Sequence, residues 1–195
     1  MTRGGLPRAG VVGLAVVLAV GFGLTSVSAA EPRARADGRF WTDDTSFYRS
    51  PWFSRAHRIM IPFGCTRAPY YSPDPRCRYP QGFHHGIDLA MPCGTRLFSD
   101  VRGRVVHPTS QGSLGSAYGA KAFRIRHHGH DFVFGHVQRV YVHAGDRVRR
   151  GQPIARAGDL GAPDGCHLHF EVRPARGGYA TAIAPRPFLH LHRVR

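Results

Sequence analysis

From residue 58 onward the chain reads as short runs of β-favouring residues, each closed by Gly, Pro or Asp. Runs at 104–107, 122–126, 132–136, 139–143, 153–157 and 167–172 mix β-branched or aromatic residues with polar ones, the composition of a pleated, half-buried strand. Segments 103–106 and 145–154 place glycine where strands must be joined by turns. No stretch holds a helical period over eleven residues or more, and no fixed-period repeat is visible. The pattern predicts an all-β domain, an antiparallel sheet or sandwich with long loops.

The hydrophobic pattern differs upstream. Residues 11–24 are apolar, follow Arg3 and Arg8, and lead into Ser26, Val27, Ser28, Ala29 and Ala30. This is the pattern of a secretory signal peptide over 1–30, cleaved near Ala29 or Ala30. The run is shorter than the roughly 20 residues that span a bilayer, so no stable membrane insertion is expected after cleavage. The mature protein is expected outside the cell or in its wall. Residues 31–56 read as an N-terminal extension: 31–44 as a flexible polar lead-in, and 47–53, with aromatics among Ser and Pro, as a segment draped on the domain. The domain is expected over 57–190, with a tail at 191–195.

Composition fits one ordinary domain plus extensions, since 195 residues at 42% hydrophobic can bury a core. The formal charge of +15 comes almost wholly from arginine, because Lys121 is the only lysine. Such a surface favours polyanions. The arginines are scattered, without a basic helix or aromatic repeat, so nucleic acid is not expected as partner. For an exported protein, anionic wall polymers are the more economical choice; drift toward arginine is the bland alternative. A monomer is expected.

Candidate chemistry sits in His167-Leu168-His169, because alternate side chains of a strand share a face. Upstream, His84-His85-Gly86-Ile87-Asp88 offers another imidazole and a carboxylate, completing the ligand types of a catalytic zinc that keeps an open position for water. Ligands of one ion lie within about 4 Å of one another, so the chain must bend between His84 and Asp88, where Gly86 permits it. Spacing alone leaves both His167 and His169 as possible ligands. The helical HisGluXaaXaaHis motif is absent, and the only glutamates are Glu31 and Glu171. Glu171 shares the face of the two histidines, which makes it either a partner orienting an imidazole or a solvated strand residue. A histidine that does not bind the metal is the better base, its ordinary pKa of about 6.5 suiting neutral pH.

Four cysteines, Cys65, Cys77, Cys93 and Cys166, suit an oxidising compartment and allow three pairings. On a strand Cys166 would point away from His167 and His169, so it is not read as a ligand. If Asp88 and His169 met at one metal, Cys93 and Cys166 would be drawn together, leaving Cys65 for Cys77.

Other histidines have bland readings. His127, His128 and His130 around Gly129 read as a polar hairpin tip, and His190-Leu191-His192 as a decoy with no carboxylate nearby in sequence. His85 is either a groove residue or a tolerated loop residue, while His57, His107 and His143 offer only strand or loop placement.

Four segments together carry a resemblance: HisHisGlyIleAspLeuAlaMetProCysGlyThr at 84–95, PheGlyHisVal at 134–137, the GlyAspArgValArgArgGlyGlnProIle run at 145–154, and CysHisLeuHisPheGluVal at 166–172. In this order they resemble the lysostaphin-type, LytM-like zinc endopeptidases, over about 61–174. The resemblance implies an all-β fold of the duplicated hybrid motif type and one Zn2+ per chain. It implies that His84, Asp88 and His169 bind the zinc, that His136 and His167 are catalytic, and that the substrate is a peptidoglycan peptide. PheGlyHisVal replaces the more usual TyrAlaHisLeu, and Cys166 stands where the family often has proline; neither change removes a functional side chain. Tyr118-Gly119 resembles a family loop beside the substrate groove, with a simple turn as the alternative. Two other classes are weighed: a noncatalytic envelope module that activates another wall hydrolase, and a different zinc enzyme using HisXaaHis on a strand.

Overall fold

The computed structural model describes Met1 and residues 38–194. The expected signal peptide at 1–30 and most of the polar lead-in lie outside the described residues. Among the described residues fourteen strands follow one another: β1 Phe47–Ser50, β2 Phe53–Ile61, β3 Gly64–Thr66, β4 Gly82–His84, β5 Ile87–Ala90, β6 Arg96–Phe98, β7 Gly103–Val105, β8 Phe123–His127, β9 His130–Gly135, β10 Val137–Val140, β11 Arg147–Val148, β12 Pro153–Ala157, β13 His167–Pro174 and β14 His192–Arg193. Among the described residues the one short α-helix, α1, is Arg186–Leu189. Among the described residues no helix is long and apolar enough to cross a membrane.

Twelve strands form one antiparallel sheet in the order β10-β12-β6-β2-β5-β13-β9-β8-β7-β11, with β1 attached at β2 and β14 at β1; β3 and β4 form a separate hairpin. Val148 of β11 and Ala155 of β12, from opposite ends of that path, belong to one buried cluster. The sheet therefore curls over on itself and closes one apolar face around the main core, while Met60, Ile61 and Ala68 form a second, smaller buried cluster. His128 and Gly129, both at positive φ, make the two-residue turn between β8 and β9, so the three-histidine segment is the hairpin tip that was read from sequence.

Two expectations are corrected. The 47–53 segment is not draped on the domain. Its first half is β1, paired with β2 and β14, and Trp52 is fully buried with its ring 5.4, 5.6 and 5.2 Å from those of Phe132, Phe134 and Phe170. The indole Nε1–H donates to Phe188 O at 2.9 Å, so burial leaves no polar group unmatched. Nor is the end of the 31–44 stretch free of the domain: Trp41 N–H donates to Met60 O, Arg39 donates to Cys166 O, and the Arg58 guanidinium lies 4.1 Å from the Phe40 ring centroid. β2 runs without a break through residue 57.

The cysteines pair as Cys65–Cys77 and Cys93–Cys166, closing separations of 12 and 73 residues. In the loop-entropy picture these contribute about 3 and about 4 kcal/mol. The first staples the β3–β4 hairpin; the second ties the loop after β5 to the start of β13.

Candidate metal centre

Strand pairing places the central residues. In the β5–β13 register Asp88 lies directly opposite His169, and His167 opposite Ala90. Opposed side chains of antiparallel neighbours share a face, so the carboxylate and imidazole meet without any loop contribution. His84 arrives from β4, and the chain turns back at His85-Gly86 before β5 begins. Gly86 is needed for space rather than for an unusual φ: a Cβ there would stand 2.5 Å from His169 Cε1 and 2.8 Å from Phe170 O.

The donor atoms converge. His84 Nε2 lies 3.2 Å from His169 Nδ1 and 3.3 Å from Asp88 Oδ1, and His169 Nδ1 lies 2.9 Å from Asp88 Oδ1. Donors arranged tetrahedrally around a zinc ion at about 2.0–2.1 Å stand roughly 3.3 Å apart. The outer nitrogens are engaged: His84 Nδ1–H donates to Pro62 O at 3.0 Å, and His169 Nε2 faces Glu171 Oε2 at 3.3 Å. With those protons outside, two imidazole lone pairs and a carboxylate oxygen point at one another in a site where all three residues are buried. Such a set repels itself unless a proton or a metal ion sits among it, and its donor types and spacing fit zinc.

Two more histidines flank the cluster. His167 Nε2 is 3.8 Å from Asp88 Oδ1, while its Nδ1–H donates to Gly165 O at 2.9 Å. The His136 ring centroid is 4.5 Å from that of His167 and 6.0 Å from that of His169. His136 has φ 57, a conformation that costs a non-glycine residue, and is fixed there by Nδ1–H to Leu160 O at 2.9 Å and its own N–H to Tyr118 O at 2.8 Å. Both rings thus spend Nδ1–H on the backbone and keep Nε2 as acceptor. The structure therefore brings together all five residues singled out in the sequence.

Of the support behind His169, the sequence offered Glu171 as one of two readings and did not reach Arg173. Glu171 is fully buried rather than solvated, and its Oε2 accepts from Tyr118 Oη–H at 2.8 Å. Arg173 donates through Nε to Glu171 Oε1 and through Nη2 to Tyr118 Oη at 2.7 Å. Alternation along His167, His169, Glu171 and Arg173 was the available signal for Arg173; Tyr118 comes from a loop 53 residues from Glu171, and the family resemblance placed it beside the groove but not on Glu171. The decoy His190-Leu191-His192 gathers no ligand set: His190 pairs with Asp100 at 2.7 Å, itself held by Arg150 at 3.1 Å.

Burial and charge set the protonation states. Burial alone would lift the Asp88 carboxyl, but the neighbouring His84 and His169 hold it well below the usual range. Burial would lower His169, yet hydrogen bonds to Asp88 and Glu171 outweigh it and raise the metal-free imidazole to about 9. Burial, reinforced by His167 and His169, depresses His136 to about 4, so it is neutral at pH 7. Glu171 stays ionised, since contacts from His169 and Arg173 overcome its burial, and the Tyr118 hydroxyl is pushed up by burial and by Glu171.

These residues open onto a cleft of about 530 Å³, lined among others by Tyr70, Tyr71, Phe83, His85, Tyr118 and Tyr179. His85 is thus a groove residue, its ring edge-on to Tyr179 with centroids 5.0 Å apart.

With fold and cleft defined, comparison with known proteins places the chain. Peptidase family M23 matches residues 82–183, and the chain belongs to that family. Peptidoglycan DD-endopeptidase ShyA of Vibrio cholerae is 32% identical over 91 residues, covering 46% of this chain and 20% of the relative. Glycyl-glycine endopeptidase ALE-1 of Staphylococcus capitis is 31% identical over 109 residues, covering 55% and 29%. The chain therefore spans less than a third of each relative's length. Among solved structures, LytU aligns with TM-score 0.53 at 31% identity, over 69% of this chain and 85% of that one. The catalytic domain of lysostaphin from Staphylococcus simulans gives 0.52 at 26%, over 68% and 92%.

Proposed function

We propose that this chain is a secreted zinc endopeptidase that hydrolyses peptide bonds of bacterial peptidoglycan, with His84, Asp88 and His169 holding the ion. The observation that carries the reading is the inward convergence of their three donor atoms at 2.9–3.3 Å, backed by oriented outer hydrogen bonds. Zinc bound by such a set supplies Lewis-acid polarisation of a carbonyl and lowers the pKa of water toward about 7. The chain's own residues do the rest. His136, neutral at pH 7 and with Nε2 unprotonated, accepts a proton from the attacking water. That proton passes from His136 Nε2 to the leaving amine as the C–N bond breaks; His167, its Nδ1–H held on Gly165 O, steadies the oxyanion only in the form that carries a second proton on Nε2. The aromatic cleft beside them takes an extended peptide. Retention of all five side chains disfavours the noncatalytic alternative.

The substrate class follows the names carried by ShyA and ALE-1, and the location follows the segment at 1–30. The test is to incubate the mature chain with purified wall material and count new amino groups. Release is expected, with loss on chelation and recovery on adding Zn2+; product masses then assign the bond cut. No release by zinc-loaded protein, or equal release by His136→Ala, overturns the reading.

A further inference from the structure

Across β6, β12 and β10 three arginines stand in a row: Arg96 is directly opposite Arg156, and Arg156 opposite Arg139. Residues so placed share a face of the sheet, and like charges there repel. Arg96 and Arg139 are exposed and Arg156 half-buried. Among the described residues no carboxylate pairs with any of the three.

The row is held in place. Arg156 donates from Nε to Tyr141 Oη at 2.6 Å and from Nη1 to Gly94 O at 2.8 Å, while the Arg139 guanidinium lies 5.2 Å from the Tyr141 ring centroid. Beyond Arg96 the surface dips into a cleft of about 690 Å³, lined among others by Arg96, Thr95, Phe47 and Arg55. Arg55 is a fourth exposed guanidinium, with no carboxylate partner among the described residues, on a backbone at φ 66 that a non-glycine residue adopts only at a cost.

A second row shows what compensation looks like in this fold. Arg147 faces Arg104 and Arg104 faces Arg126, but Asp131 grips Arg126 through two contacts at 2.6 and 2.8 Å, and Arg104 is bonded to Gly145 O. The first row has no such acid.

We infer that Arg55, Arg96, Arg156 and Arg139 form a track for a linear polyanion with phosphodiester groups, a polyol phosphate polymer of the bacterial wall. The planar guanidinium fork matches phosphate oxygens two at a time. A strand spacing of about 4.8 Å spreads the row over about 10 Å, which suits one chain carrying several charges rather than a single ion. Within the row itself the Tyr141 ring is engaged by Arg139, which leaves it less free to stack a base. The choice of a wall polymer rests on the proposed function, but the track itself does not.

The test is binding of purified poly(glycerol phosphate), which has no peptide bond, so the result is independent of hydrolysis. The full chain is compared with the triple variant Arg55→Gln, Arg96→Gln, Arg139→Gln and with a control of equal charge loss, Arg102→Gln, Arg104→Gln, Arg147→Gln. All six side chains are exposed, and unchanged melting temperatures confirm folding. The track variant should bind at least about 10-fold more weakly and the control within about 3-fold of the parent. Equal losses would reduce the effect to overall charge and overturn the track, as would undiminished binding by the first variant. Single-stranded DNA of matched charge binding as tightly as the polymer would overturn the choice of occupant.

Discussion

At the scale of single residues, the candidate centre separates side chains that would hold an ion from those that would move protons, and substitution should separate them too. Asp88→Ala removes a donor and should abolish zinc binding, read by metal content after dialysis. His136→Ala should keep zinc while turnover falls by a factor of about 10² to 10⁴. Glu171→Gln and Tyr118→Phe touch no donor directly, yet loosen the partner of His169; zinc affinity, measured by chelator competition, should fall about 10- to 100-fold. The pH dependence has a definite sign. Metal-free His169 holds its proton up to about 9, above the ordinary histidine value, so it stabilises the metal-free fold most at low pH and loses that contribution as pH rises toward 9. Zinc must displace the proton, so the melting-temperature gain on adding zinc should widen from pH 6 to pH 8.

Among elements, adjacency in sequence decided what could be read. HisXaaHis on a strand was legible because period two is a local property, and the two-residue hairpin at His128-Gly129 was legible for the same reason. β1 was not, because four residues alternating between exposed Phe47 and Arg49 and buried Tyr48 and Ser50 carry too little periodicity beside Ser and Pro. Its partners, β2 and β14, also lie at opposite ends of the domain sequence. Trp52, read as part of a surface segment, anchors the aromatic core, and Trp52→Ala should cost about 3–5 kcal/mol in denaturant unfolding. Gly86 was expected to allow a bend; its actual constraint is the His169 ring, visible only once β13 lies beside it. Gly86→Ala should weaken zinc binding and, because the added Cβ also meets the Phe170 carbonyl of β13, lower the melting temperature, read by metal titration alongside thermal unfolding.

For the whole molecule, all-β architecture followed from the absence of helical period, while the curl of one long sheet did not, since it depends on which strands neighbour each other across the chain. The separation of β3–β4 from that sheet has a consequence for how the protein would respond to its ion. His84 ends the small hairpin, whereas Asp88 and His169 belong to the large sheet, so zinc would act as a rivet between two independently hydrogen-bonded plates. Stripping the ion should free the smaller plate first. Amide protons of 64–66 and 82–84 should then exchange faster by hydrogen–deuterium mass spectrometry, while those of β9 and β13 keep their protection.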